Sequence, residues 1–197
     1  MPTKDALIQA LIDLEWSFFT QVQGLNGRAL CQENPQTFAI MRRAQHQIFS
    51  EKTLDALMND LLDAAEAGRN PMTEKYARMM EQSDPDYFAR ELALECPTLS
   101  AEKATTLQAL RQLFADAQSA FSENAMAQQV RGRVAVSGAG EVSGLDYLMG
   151  ELATWSMVTL SLALADIKAW QAAGRNPVEA IVAYTVDAYR GKDTGEV

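Results

Sequence analysis

The sequence predicts an all-α chain, a compact multi-helix bundle built from two related helical halves. Three observations predict it. The pentapeptide Ala-Gly-Arg-Asn-Pro occurs twice, at residues 67–71 and 173–177. Apolar residues recur at helical spacing along most of the chain, and β-branched runs alternating with period two are scarce. Of the 197 residues, 48% are apolar, which is enough for a real core in one domain spanning 1–197.

In chain order, the periodicity predicts helices over 3–22, 36–49, 53–67 and 72–82 as a first half of about 1–82. Residues 83–100 read as a connector, with Ser-Asp-Pro-Asp-Tyr-Phe and Cys-Pro breaking the pattern and room for one short helix. Helices over 101–128, 143–155, 157–172 and 177–189 make a second half of about 101–190. The glycine- and serine-rich stretch 134–144 reads as a loop.

The repeated pentapeptide predicts a helix–turn–helix corner. Its glycine suits the left-handed position just past a helix end. Its asparagine is a strong N-cap, and its proline has φ preset for the first helical turn. In the second copy Glu179 falls where a capping box places its acid. Read backwards without gaps, Ser50 falls over Ser156, Thr53 over Thr159, Leu54 over Leu160 and Asp60 over Asp166, with Phe49 over Trp155. Gly27-Arg28 falls over Gly132-Arg133 at a spacing one residue shorter. Internal duplication accounts for this run of identities; convergence on a good corner is the alternative.

Charge and composition exclude several classes. A net charge of −9 argues against nucleic-acid binding, which needs basic surface, and against an anionic membrane surface. The longest charge-free apolar run, 152–165, is shorter than the roughly 20 residues a membrane span needs. The N-terminus lacks the unbroken apolar stretch of a secretory signal. Cys31 and Cys96 stand far apart, so reduced thiols in a cytoplasm are expected rather than a disulfide framework. With one histidine, His46, neither a structural zinc site nor another metal site is expected, and no cofactor is implied.

One residue contradicts the pattern of the first helix. On a wheel of roughly 100° per residue, Glu15 falls in the middle of the apolar arc, flanked by Leu11, Ile12, Phe18 and Phe19. An ionised carboxylate there needs a cation or hydrogen-bond donors, or takes up a proton. Gln45 sits in a similar position among Phe38, Met41, Ile48 and Phe49, with Arg42 at the edge of that face. Arg28 follows the turn signal Asn26-Gly27, with Cys31 and Gln32 close behind. These groups are candidates to meet between helices, either as a ligand pocket or as an ion pair that fixes helix docking; both readings stay open. Cys31 reads as a small buried hydrophobe ahead of a nucleophile. His46 lies off the apolar face and is expected at an exposed or edge position. After the first corner, Met72, Tyr76, Met79 and Met80 share a core face. Lys75 lies beside that face, and Glu74 with Arg78 forms an expected solvated pair. Ile181 and Tyr184 stand in the second half where Lys75 and Arg78 stand in the first, so any site is expected in the first half.

The segments Glu15-Trp16, 27–32 (Gly-Arg-Ala-Leu-Cys-Gln), 38–45 (Phe-Ala-Ile-Met-Arg-Arg-Ala-Gln) and 74–80 (Glu-Lys-Tyr-Ala-Arg-Met-Met) resemble the family catalogued as domain of unknown function 4125. The later Gly-Glu-Leu-Ala-Thr-Trp-Ser and Gly-Arg-Asn segments are similar too. The chain departs where some members carry Gly-Gly before the arginine and a Ser-Gln after a later one; here those positions read Asn26-Gly27 and Ala44-Gln45. Some relatives resemble fusions to a nucleotidyltransferase-like domain, which implies a docking partner of that type. The resemblance supplies positions and a fold, and no activity.

Three functional readings follow. In the first, a small anionic metabolite is gripped by Arg28, Arg42 and Gln45, with Cys31, Gln32, Tyr76 and Arg78 lining the site. Glu15 and Lys75 would then do acid or base chemistry of lyase or hydrolase type. The second is a non-catalytic interaction module, docking through the face of 72–80 or beside Trp155 and Trp170. The third is a homodimer.

Overall fold

The computed structural model describes residues 3–23, 27, 30–123 and 143–193. The regular elements among these residues are helices and helical turns, with no strand. Helix α1 (Lys4–Phe19) is followed by a 3-10 turn (Leu30–Glu33), α2 (Pro35–His46), α3 (Glu51–Glu66) and α4 (Pro71–Ser83). The connector holds three short pieces rather than one, a turn of α-helix (Pro85–Tyr87), a π segment (Phe88–Leu92) and a 3-10 turn (Ala93–Glu95). Then come α5 (Ala101–Ser122), α6 (Gly144–Leu152), α7 (Met157–Ala172) and α8 (Pro177–Asp193). The expected Gly27-Arg28 match to Gly132-Arg133 and most of the loop at 134–144 lie outside the described residues.

Side-chain caps set most of the helix starts. The Ser50, Ser100, Ser143 and Ser156 hydroxyls accept from backbone amides in the first turns of α3, α5, α6 and α7. Asn34 does the same for α2. Each such cap contributes about 1 kcal/mol. At both corners the glycine is left-handed, with φ of 69° at Gly68 and 66° at Gly174. Closing bonds run from the Arg69 amide to the Ala64 carbonyl (2.8 Å) and from the Arg175 amide to the Trp170 carbonyl (3.0 Å). Asn70 caps α4 and also donates through Nδ2 to the Phe18 carbonyl at the end of α1 (2.9 Å). Asn176 accepts from the Val178 and Glu179 amides and donates to the Ala117 carbonyl of α5 (2.7 Å). Each corner is thereby tied to a distant helix.

Helices α2 and α6 stop three residues earlier than their apolar patterns suggest, at His46 and Leu152. The reason is the same in both places. Phe49 and Trp155 leave the helix to pack edge to face with centroids 5.4 Å apart, and the serine after each starts a new helix. The Ser50 amide donates to Asp166 Oδ2 of α7 (2.8 Å), and the Ser156 amide donates to Asp60 Oδ2 of α3 (2.8 Å).

The core runs through Ile8 and Leu11 of α1, Leu54 and Leu57 of α3, Leu110 and Phe114 of α5, Leu152 of α6, and Leu160 and Ile167 of α7. Helix α4 lies along α6, and α7 packs on α3 and α5. Gly150 permits the α4–α6 approach. A Cβ built there would meet the Lys75 carbonyl at 2.9 Å, closer than real Cβ contacts come. That contact brings the next residue, Glu151, beside Lys75.

Candidate functional site

Four helices deliver one cluster of charge. Helix α1 carries Glu15 inward on its apolar face, where its side chain is 2% exposed. From α2 come Arg42, Gln45 and His46, from α4 Lys75, and from α6 Glu151. Arg42 grips both acids. Its Nε and Nη2 donate to Glu15 Oε2 (2.7 Å) and Oε1 (2.6 Å). Its Nη1 and Nη2 donate to Glu151 Oε2 and Oε1, both at 2.6 Å. Gln45 Oε1 accepts a further bond from Nη1 (2.5 Å). Lys75 Nζ donates to Glu151 Oε2 (2.8 Å). His46 Nε2 lies 3.1 Å from both Glu15 oxygens and 3.4 Å from Arg42 Nη2, while His46 Nδ1 is buried without a hydrogen-bond partner.

The electrostatics follow from this geometry. Desolvation pushes the Glu15 carboxyl upward, but the Arg42 guanidinium and the His46 contact outweigh it and hold its pKa down, at about 2. Desolvation also opposes ionisation of Glu151, and Arg42 with Lys75 holds it far below the ordinary carboxylate value. Two acids and two basic side chains, Arg42 and Lys75, therefore face one another inside the fold, the condition under which buried charge is tolerated. Both carboxylates stay ionised at neutral pH, so neither has a proton to give. Their oxygens, and the guanidinium edges, are occupied by one another. A cleft of about 330 Å³ near the first corner is lined by other residues altogether.

The residues singled out from sequence separate into three groups. Glu15, Arg42, Gln45 and Lys75 meet in the cluster. Gln32, Tyr76 and Arg78 are placed elsewhere. Gln32 is buried and donates to the Phe19 and Val22 carbonyls (2.7 and 2.9 Å), so it satisfies the end of α1. Tyr76 belongs to a row of rings running Trp16–Phe38–Phe19–Tyr76–Tyr147 across α1, α2, α4 and α6. Arg78 donates to the Pro97 carbonyl and lies 5.8 Å from the Phe88 ring centroid. Arg28, and the side chain of Cys31, lie outside the described residues.

Several expectations are corrected. His46 is fully buried rather than exposed, while Met41, expected in the core, is 43% exposed. Helix α2 is turned so that Arg42 and His46, one turn apart, face Glu15, because burying Arg42 between two carboxylates draws that stripe inward. Glu74 is buried instead of solvated, and its Oε1 faces Arg69 Nε at 3.5 Å rather than Arg78. Burial raises its pKa. The cluster is not confined to the first half, since Glu151 comes from the second. A signal for Glu151 was present: the ungapped alignment that puts Phe49 over Trp155 puts Gln45 over Glu151. Met72 and Met79 are buried on the core face expected of them, and Trp155 is buried too, so these side chains do not form the exposed patch that the docking reading called for.

Among the described residues no group of three His, Cys, Asp or Glu side chains is placed to hold a metal ion, and no helix is long and apolar enough to cross a membrane. No curated protein and no solved structure matches the chain. A family model does. Over residues 5–196, nearly the whole chain, the sequence matches the family described as Protein of unknown function (DUF4125), and the chain belongs to that family.

Proposed function

We propose that the protein is a non-catalytic helical module, and that its charge cluster is a fastening between helices rather than an active centre. One observation carries the reading: Arg42 is held bidentately by both Glu15 and Glu151 at 2.6–2.7 Å, with all three side chains buried. A substrate would have to displace one of these partners and leave a buried charge unpaired, which costs several kcal/mol. In this reading residues 1–82 and 101–190 are two copies of one helical unit folded together as a single domain, working in a reducing cytoplasm. The matched caps of Ser50 by Asp166 and Ser156 by Asp60 support the duplication, as do the paired roles of Asn70 and Asn176.

Such a module acts through its surface. The row of rings ends at exposed Tyr147 and supplies the aromatic anchors that protein interfaces favour. A nucleotidyltransferase-type enzyme is the partner that the family resemblance implies. Co-elution of the chain with such an enzyme from the same cell reads the docking, and Tyr147→Glu is expected to abolish it; separate elution of the unmodified pair removes this partner.

The fastening itself is tested by thermal-shift screening against small carboxylates and phosphates at millimolar concentration. Any stabiliser is expected to act equally on wild type and Lys75→Met, since the cluster offers it no contact. A stabiliser that Lys75→Met loses and Lys103→Met keeps would place a ligand in the cluster and overturn the reading.

A further inference from the structure

The cleft of about 330 Å³ opens where the last turns of α3 meet the first corner, the start of α5 and the turn between α6 and α7. Its size is at the small end of ligand sites, which run from roughly 300 to 1,000 Å³. Lys103 and Arg69 bring positive charge to it, Asp60 and Asp63 negative charge, and Trp155 an indole. The cations are less satisfied than those of the cluster. Lys103 is half-buried, yet its ammonium has no ion pair or hydrogen bond among the described residues. It also stands in the first turn of α5, the helix end where the backbone dipole disfavours a cation. Burial first, and then the Arg78 guanidinium, lowers its pKa; Asp60 and Glu74 offset only part of this, and Arg69 adds to the lowering. Arg69, exposed at the rim, has among the described residues only the 3.5 Å approach of Glu74 as a side-chain ion pair.

The acids of the cleft are not equivalent. Asp60 Oδ2 is already engaged by the Ser156 amide at 2.8 Å. Asp63 is exposed and its carboxylate has no partner among the described residues. The lining thus offers two cations with free donor capacity and a free carboxylate. A phosphate dianion suits this poorly, because both aspartates would repel it. A molecule with a carboxylate at one end and an ammonium beside it matches both charges.

We propose that this cleft binds a small zwitterionic carboxylate of the amino-acid class, its carboxylate on Lys103 and Arg69 and its ammonium on Asp63. The site shares no side chain with the Glu15–Arg42–Glu151 cluster and does not depend on how that cluster is read.

The test is a thermal-shift titration of the full chain with each of the twenty standard free amino acids, with propionate, propylamine and inorganic phosphate as partial probes. At least one amino acid is expected to raise Tm saturably, by roughly 2–4 °C at about five times its Kd. Propionate gives a weaker shift, and propylamine and phosphate give none. Lys103→Met removes the shift, Lys103→Arg keeps it, and Lys75→Met leaves it unchanged. Asp63→Asn lowers the amino-acid response to the level of propionate; because Asp63 is exposed, that variant tests the site even where Lys103→Met fails to fold by circular dichroism. No saturable shift with any amino acid, a shift that survives in both Lys103→Met and Asp63→Asn, or phosphate stabilising as well as the best amino acid overturns the proposal.

Discussion

The charge cluster under α1, α2, α4 and α6 and the seam between α3 and α7 solve different problems with acidic side chains. At the seam, Asp60 and Asp166 each cross to the other helix and accept a backbone amide at its start, so each acid neutralises a helix N-terminus. The two contacts mirror one another because the residues involved are the same in both halves. In the cluster the halves differ. Gln45 stands where the second half has Glu151, and Lys75 stands where it has Ile181. Charge that has no counterpart across the pair must be balanced by other side chains, and Arg42 does that for two acids at once. Where the aligned segments carry the same residues, the contacts run to backbone amides at helix starts; where they differ, buried ions hold the helices.

The largest effect is expected at Arg42. Arg42→Ala leaves Glu15 and Glu151 facing each other without a guanidinium, and loss of one partner from a buried ion cluster costs about 3–5 kcal/mol. Urea denaturation followed by circular dichroism reads it. Restoring much of that loss with Glu15→Leu and Glu151→Leu in an Arg42→Met background would show that balance, rather than the ions themselves, is required. Repeating the wild-type measurement across pH sharpens the same point. Both carboxyls are held below the ordinary 4.5, Glu15 to about 2. In that window the unfolded chain binds more protons, so their contribution is complete above about pH 5 and is lost as pH falls from 4.5 toward 2. An acid limb of the same steepness in Arg42→Ala would show that these two carboxylates do not set it.

Much of this was legible in the sequence because it rests on local rules. The two corners follow from glycine, asparagine and proline in fixed order, and Glu15 was marked by its place on an apolar arc. The orientation of α2 was not legible. A helical wheel assigns polar residues outward, and so placed Met41 inside and His46 outside. It carries no information that a cation on the polar edge will be drawn inward by carboxylates from two other helices. The alignment pointed to Glu151, but its pairing with Arg42 was hidden for a related reason. It reaches Arg42 only because Gly150 lets α6 lie against the backbone of α4, a contact between segments far apart in the chain. The ends of α2 and α6 were overestimated because Phe49 and Trp155 continue the apolar spacing after the helix has stopped, and only their mutual packing explains the turn.

The seam allows a finer test, because its two halves are alike but not identical. Asp166 Oδ2 accepts from the Ser50 amide at 2.8 Å and from the Thr53 hydroxyl at 2.5 Å. Asp60 Oδ2 accepts from the Ser156 amide at 2.8 Å, while the Thr159 hydroxyl turns to Ser156 Oγ at 3.1 Å. Asp166→Ala therefore removes two bonds to a charged acceptor and Asp60→Ala removes one. With each such bond contributing about 1.5–3 kcal/mol, Asp166→Ala is expected to be the more destabilising of the two by about one bond in urea denaturation. Thr53→Val should cost more than Thr159→Val for the same reason, since only Thr53 reaches across the seam. Equal losses at Asp60 and Asp166 would mean that the threonine contact contributes nothing, and that the shared serine caps alone join the two halves there.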